Sequence, residues 1–285
     1  MNTQFWVIQA FNGISYGALL FQVGSGVSLI FGVMRIVNLS HGAYFLWGGY
    51  IALSVIGATG SWALSLPVAA LAVAVIGMAM ERVFLRPLGF DPLRQLLLTV
   101  GFAFLFQQGA LDIWGGNNMD ITPPATLTQS IVIGGIYFPA YRMFMIALAL
   151  VIGVALWLAM EKSRMGAAVR ATVDDAQMAR GVGIDTNRIS MFIFALGAFL
   201  AALGGVTGGA FLGIYPGLDF EMLPLAFAVV IIGGLGSLGG AAIGALMVGL
   251  ADNFGKALFP EISYFTLYAP MVLILAVKPT GLFGR

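Results

Sequence analysis

The chain has 285 residues, 60% of them hydrophobic and 9% charged, with a net charge of +1 and a mean hydropathy of +0.99. A soluble domain carries about 25% charged residues, so this composition excludes one and indicates an integral membrane protein. Zero Cys and a single His exclude disulfides, thiolate metal sites and a His-based metal cluster, and the near-neutral balance gives no sign of a nucleic-acid partner.

No Lys or Arg precedes Arg35, so the first apolar run lacks the basic start of a cleaved leader and reads as a retained span. Runs of roughly 20 apolar residues, the length needed to cross the hydrocarbon, fall at about 7–32, 42–58, 62–81, 95–114, 141–160, 189–212, 221–237, 239–257 and 264–278. The expected fold is all-α: a single polytopic transmembrane domain over 1–285 with nine spans, within a range of eight to ten, some of them interrupted.

The first polar site is "MRIVNLSHGAYF", which sets Arg35, Asn38, Ser40, His41, Gly42 and Tyr44 between two apolar runs. An Arg at the centre of a span costs about 2.5–3.5 kcal/mol on insertion scales, so these groups should face protein, water or the interface. Two readings are open. Either a span is broken near the midplane and its free backbone and polar groups line a pathway, or this is a cytoplasmic turn in which Asn38 or Ser40 caps the next helix. Further along, Gln107, Gln108 and Asp112 fall in the outer half of the fourth run, with Asp252 and Asn253 near the outer end of the eighth.

The segment 115–140 contains Gly-Gly, Asn-Asn and Pro-Pro breakers and an Ile/Val run, which predicts an external loop with a short hairpin. It is either a platform for an external partner or a connector on the bilayer surface. Next comes "EKSRMGAAVRATVDDAQMARGVGIDTNR", 161–188, a polar island in an apolar chain. Within it Asp174 is placed to cap a short helix, Gln177 to bond back as in a capping box, and Gly181 or Gly183 to stop it. Ala176, Ala179 and Gly183 give that helix a face of small side chains for close approach, while Asp174, Asp175 and Arg180 offer charged contacts. It is either a stiff lever for a soluble partner or a solvated loop that fixes topology. The Gly-dense "IIGGLGSLGGAAIG", 231–244, reads equally as a re-entrant link and as a hairpin between closely packed helices.

Short loops rich in Lys and Arg favour the cytoplasm. With the island inside, all but Arg142 and Lys256 of the thirteen basic residues, from Arg35 to Arg285, fall on the cytoplasmic side. The N-terminus is then periplasmic and the C-terminus cytoplasmic. No buried charged pair offers a proton relay, which disfavours an ion-driven carrier, and no set of residues supports enzymatic chemistry.

The order "RATVDDAQMARGVGIDTNRI" resembles the cytoplasmic coupling loop of permease subunits of ABC importers, in the form found in the branched-chain (hydrophobic) amino acid uptake family. "GALLFQVGSGVSLIFGVMRIVNLSHGAYFLWGGYIA" at 17–52 is similar to that family's N-terminal signature, and "VVIIGGLGSLGGAAIGALMVG" at 229–249 to its Gly-rich C-terminal element. The resemblance implies a multi-pass permease of the bacterial inner membrane that pairs with a homologous second permease, or with its own copy, and works with two cytoplasmic ATPases and a periplasmic substrate-binding protein. The chain itself contains no G-x-x-x-x-G-K-[ST]; the nearest string, "NFGKAL" at 253–258, lacks the first Gly and the Ser or Thr. It therefore carries no cofactor, and ATP and Mg²⁺ are expected on the ATPase subunits.

Two residue sets follow as expectations. Arg170, Thr172, Asp174, Asp175, Gln177, Met178, Ala179, Arg180 and Gly183 form the ATPase-coupling set. Asn38, Ser40, His41, Gly42, Tyr44, Gln107, Gly233, Gly234, Gly236 and Ser237 form the translocation-pathway set. The function expected is uptake of branched-chain or other hydrophobic amino acids; the alternatives are urea, short amides or aromatic carboxylates on the same scaffold, and an ion-driven carrier or channel.

Overall fold

The structure, a computed structural model, describes residues 3–89 and 91–284; Arg285, counted above among the cytoplasmic basic residues, lies outside the described residues. The helices are α1 (Thr3–Met34), α2 (His41–Thr59), α3 (Trp62–Met80), α4 (Pro92–Trp114), the single turn α5 (Ala125–Thr128), α6 (Ala140–Lys162), α7 (Arg164–Asp174), α8 (Ala176–Gly181), α9 (Thr186–Leu212), α10 (Leu218–Gly233), α11 (Leu238–Leu258) and α12 (Ser263–Val277). The strands β1 (Ser130–Ile133) and β2 (Ile136–Pro139) pair antiparallel, as the Ile/Val run predicts, around a Gly134–Gly135 turn in which both residues have positive φ. The protein is an all-α polytopic membrane protein.

Helix ends follow local chemistry. Ser61 Oγ accepts from Leu64 N at the start of α3, Asp91 Oδ1 accepts from Arg94 N before Pro92 at the start of α4, and left-handed Gly60 closes α2, as N-cap and C-cap preferences require. Each of the nine apolar runs becomes a helix, but among the described residues only seven helices are long and apolar enough to cross a membrane. The other two, α10 and α12, have 16 and 15 residues. Gly217 and Gly234, both at φ 102, bound α10 closely. Pro224 and Pro270 lie inside these two short helices, where a ring without an N–H weakens the ladder.

α1 is the axle of the bundle, packed along α11, α9, α10 and α6, while α4 rests mainly on α2 and is the least buried of the seven long helices. Lipid gives helices no hydrophobic drive to associate, so tight seams rely on small residues. A Cβ on Gly13 would lie 2.9 Å from the Leu250 Cα, and one on Gly249 would collide with the Gly13 carbonyl and the Gly17 backbone. The seam also sets polarity, because α11 runs antiparallel to α1. Trp6 packs on Phe254 at one end of the bundle, and the tail after α12 lies on the turn after α10 at the other, where Leu282 N and Phe283 N donate to the Ile232 and Gly233 carbonyls at 2.9 Å. The described termini are thus at opposite ends, with the hairpin near the first and α7–α8 near the second.

Candidate functional site

The chain between α1 and α2 does not remain at the bundle surface. Arg35, with φ 55, is the one non-glycine residue at positive φ among those described, and it turns the backbone out of α1 so that 36–40 run back along it. Asn38 Oδ1 then accepts from Ser40 N at 3.1 Å and Ser40 Oγ at 2.7 Å, and Thr99 Oγ1 of α4 accepts from Leu39 N at 3.2 Å. His41 opens α2 with Nε2 at 3.1 Å from the Val23 carbonyl, about 16 Å from the C-terminal end of α1 at 1.5 Å per residue. The carbonyl can only accept, so His41 is the Nε2–H tautomer and Nδ1 is left as an acceptor. Asn38, Ser40 and His41 are 4%, 0% and 0% exposed, so this turn is buried against the bundle and not solvated. Ser40 occupies the N-cap position without a side-chain cap bond, because its hydroxyl is committed to Asn38.

A counterpart of opposite polarity lies between α9 and α10. Gly213 (φ 77) ends α9, Ile214 forms a bridge with Met119 of the segment 115–140 at 2.9 and 2.7 Å, and Gly217 starts α10. α9 runs antiparallel to α1: Gly197 faces Gly26 and Ile30, whereas Gly208 faces Leu19. The two interruptions meet. A Cβ on Gly42 would collide with the Asp219 carbonyl and come within 3.2 Å of the Leu223 Cβ, so the N-termini of α2 and α10 abut. Asp219 is 3% exposed and its Oδ1 has no hydrogen-bond partner; the same is true of buried Asn38 Nδ2, His41 Nδ1, Gln22 Nε2, Ser28 Oγ and Tyr50 OH. Unpaired buried polar atoms are uncommon in native folds and call for an explanation; apart from Trp62 Nε1 on α3, those among the described residues lie on α1, α2, α10 and the linker between α1 and α2.

The other residues of the pathway set are placed as follows. Tyr44 OH donates to Met80 Sδ at 2.9 Å, and Gln107 is half-buried on α4, next in sequence to Phe106, whose carbonyl accepts from Trp47 Nε1 at 2.8 Å. Gly233, Gly234, Gly236 and Ser237 form a tight α10–α11 turn in which Ser237 Oγ accepts from Gly240 N at 3.0 Å and Gly236 packs on Gly32 near the C-terminal end of α1. The hairpin reading of 231–244 therefore describes this stretch, and the partner of the first interruption is 213–217. Gln108 pairs with Asp112 at 2.9 Å on an exposed face, Asp252 with Lys256 at 2.8 Å, and Asn253 donates to the Gly249 carbonyl at 3.1 Å.

In the polar island, Asp175 and not Asp174 is the cap. α7 continues through Asp174; Asp175 is extended (φ −153, ψ 103) and its Oδ1 accepts from Gln177 N and Met178 N at 2.8 and 2.9 Å. Gly183 (φ 90) supplies the left-handed stop. Arg170 bonds the Met160 carbonyl at the end of α6, Thr172 Oγ1 donates to the Ala168 carbonyl at 2.8 Å, and Arg180 Nε donates to Thr186 Oγ1 at 2.7 Å. Of the expected small-residue face, Ala179 is buried against the chain itself, Ala176 is half-buried and Gly183 is exposed. What points out is Asp174, Gln177 and an apolar pair one turn apart, Met178 and Val182, 66% and 72% exposed.

A profile of the family described as "Branched-chain amino acid transport system / permease component" matches residues 9–275. The chain belongs to this family. The high-affinity branched-chain amino acid transport system permease protein LivH of Escherichia coli K12 is 31% identical, covering 100% of this chain and 98% of its own. BraD, the corresponding protein of Pseudomonas aeruginosa, is 29% identical over 97% and 95%, and LivM of E. coli K12, also named a permease of that system, is 27% identical over 91% of this chain and 66% of its own. No solved structure matches. This branched-chain permease family member is thus a multi-pass protein of the inner (plasma) membrane and a transporter subunit. Sequence reasoning missed Asp219 and the breaker "GIYPG" at 213–217 as site residues, although an Asp at the head of an apolar run beside Gly, Pro and Gly is the same kind of signal that marked 38–42.

Proposed function

We propose that this chain is one permease subunit of a binding-protein-dependent ABC importer for branched-chain or other hydrophobic amino acids, moving its substrate by alternating access. In this reading the end bearing α7–α8 is cytoplasmic, two ATPase subunits bind there and use ATP and Mg²⁺, and a periplasmic substrate-binding protein delivers solute at the hairpin end. The second permease is a homologue, as the names LivH and LivM for two permeases of one E. coli system suggest.

The observation that carries the reading is the abutment of two interrupted spans of opposite polarity at Gly42 and Asp219, with buried Asp219 Oδ1, His41 Nδ1 and Asn38 Nδ2 left without partners. Paired broken spans are how transporters bring free backbone and polar groups to the membrane interior. α8 supports the cytoplasmic half: a short capped helix with exposed Met178 and Val182 is shaped to seat an apolar edge in a groove with charge around it. The test is reconstitution. Leucine uptake into proteoliposomes should require ATP, the ATPases, the binding protein and this chain together. Leucine or ion flux through the chain alone would favour a self-contained carrier or channel and sink the proposal.

A further inference from the structure

α3 does not end as an α-helix. After Met80 it opens into one π turn, Glu81–Leu85, and the backbone N–H of Arg86 bonds the Glu81 carbonyl. In an α-helix residues five apart point about 140° away from each other; the wider π turn brings them to one side. Glu81 and Arg86 use that register for a two-point ion pair, with Arg86 Nη2 at 2.7 Å from Oε2 and Nε at 3.3 Å from Oε1. The Glu81 side chain is 2% exposed and that of Arg86 30%, so the carboxylate is buried and the guanidinium stands at the rim. From there Arg86 Nη2 also donates to the Asn187 carbonyl, in the first turn of α9, at 3.2 Å.

The pair joins two sites that the chain otherwise keeps apart. On one side, Thr186, the neighbour of Asn187, receives the Arg180 side chain from the last turn of α8 at 2.7 Å. On the other, Met80, the neighbour of Glu81, takes the Tyr44 hydroxyl at 2.9 Å, and Tyr44 stands in the first turn of α2, one turn from Ser40, which is held by Asn38. Polar contacts linked through the backbone at 186–187 and 80–81 therefore run from α8 through the start of α9 and the π turn of α3 to the first turn of α2.

We propose that Glu81 and Arg86 are positioning residues that transmit movement of α8 to the interrupted α1–α2 segment, with the π turn as the joint. Planar guanidinium geometry is required, because one group must hold a carboxylate at two points and a backbone carbonyl together. A π turn is a suitable joint, since such turns are rare and concentrate at functional sites. The inference rests on the ABC permease reading above.

The test uses the full complex in proteoliposomes, with ATP hydrolysis and leucine uptake measured together in wild type, Glu81→Gln, Arg86→Lys, and the exchange Glu81→Arg with Arg86→Glu. Glu81→Gln and Arg86→Lys should co-purify normally with the ATPases and hydrolyse ATP at the wild-type rate, yet take up about tenfold less leucine per ATP, and the exchange should recover part of that ratio. Arg86→Lys carries the test if Glu81→Gln fails to assemble, because Lys still neutralises Glu81 but cannot make the fork. An unchanged uptake-to-hydrolysis ratio in Arg86→Lys overturns the inference, and so does a loss of ATPase co-purification in that variant, which would make the pair part of the docking surface. Absence of ATP-dependent uptake in wild type would overturn the permease reading instead.

Discussion

At the residue scale, two adjacent aspartates with equal formal charge do different work. Asp175 adopts the extended cap conformation and accepts from two backbone N–H groups, while Asp174 is the exposed last residue of α7. An N-cap Asp replaced by Ala loses about 1 kcal/mol, and an exposed surface change costs within about 0.5 kcal/mol. Asp175→Ala should therefore speed amide exchange at 177 and 178 by several-fold, and Asp174→Ala should leave it near wild type, as read by hydrogen exchange. Equal effects would reject the cap assignment. A second prediction concerns Gly26, where a Cβ would lie 2.6 Å from the Gly197 carbonyl oxygen and 2.9 Å from His41 Cε1. Overpacking of this kind costs about 1–3 kcal/mol, so Gly26→Ala should lower the thermal midpoint of the purified protein. Gly239→Ala is the control, because a Cβ there meets nothing within 4 Å.

At the element scale, what the sequence disclosed was punctuation, and what it withheld was pairing. "NLSHG" and the Gly cluster 231–244 stood out because breakers and polar groups interrupt apolar runs, but the partner of the first interruption is set by three-dimensional contact of Gly42 with Asp219. The capping motif in the island was legible to within one residue, since a DD pair offers two equivalent caps and only the run of α7 decides between them. One member of the small-residue face of α8 turns inward for a different reason. Small residues permit close approach to any neighbour, and Ala179 spends that on its own chain, being 3% exposed. The apolar pair Met178 and Val182 is the better candidate for contact. Replacing both with Asp should reduce ATPase co-purification about tenfold, consistent with loss of a small apolar hot spot, while leaving the permease monodisperse on gel filtration. Normal co-purification would reject α8 as the docking element.

At the scale of the whole molecule, nine apolar runs were legible and all nine are helices, yet length alone identifies seven of them as spans. Hydropathy reports where a chain is apolar; whether a short helix such as α10 completes a crossing depends on how deep the preceding linker enters, and that depends on packing. The described contacts set the hairpin and the polar island at opposite ends of the bundle, and the distribution of Lys and Arg chooses which end faces the cytoplasm. The chain contains no Cys, so a single introduced thiol reports its own side of the membrane. Val132→Cys in β1 and Met178→Cys in α8 are 55% and 66% exposed as native residues, so neither change disturbs a buried contact. An impermeant maleimide should label the first in cells with a permeabilised outer membrane and intact inner membrane, and the second only after the inner membrane is opened. The reverse pattern would invert the topology, and labelling of both from one side would mean that α6, the one long helix between the two sites, does not cross. Ser40→Cys then extends the same logic to the interior. Its native hydroxyl is fully buried, so in the resting complex it should resist the reagent from both sides. If the meeting of α2 and α10 is the barrier that alternates, ATP and loaded binding protein together should make Ser40→Cys reactive, whereas a rate that never changes through the cycle would mean that the two interrupted spans brace the fold and the pathway runs elsewhere.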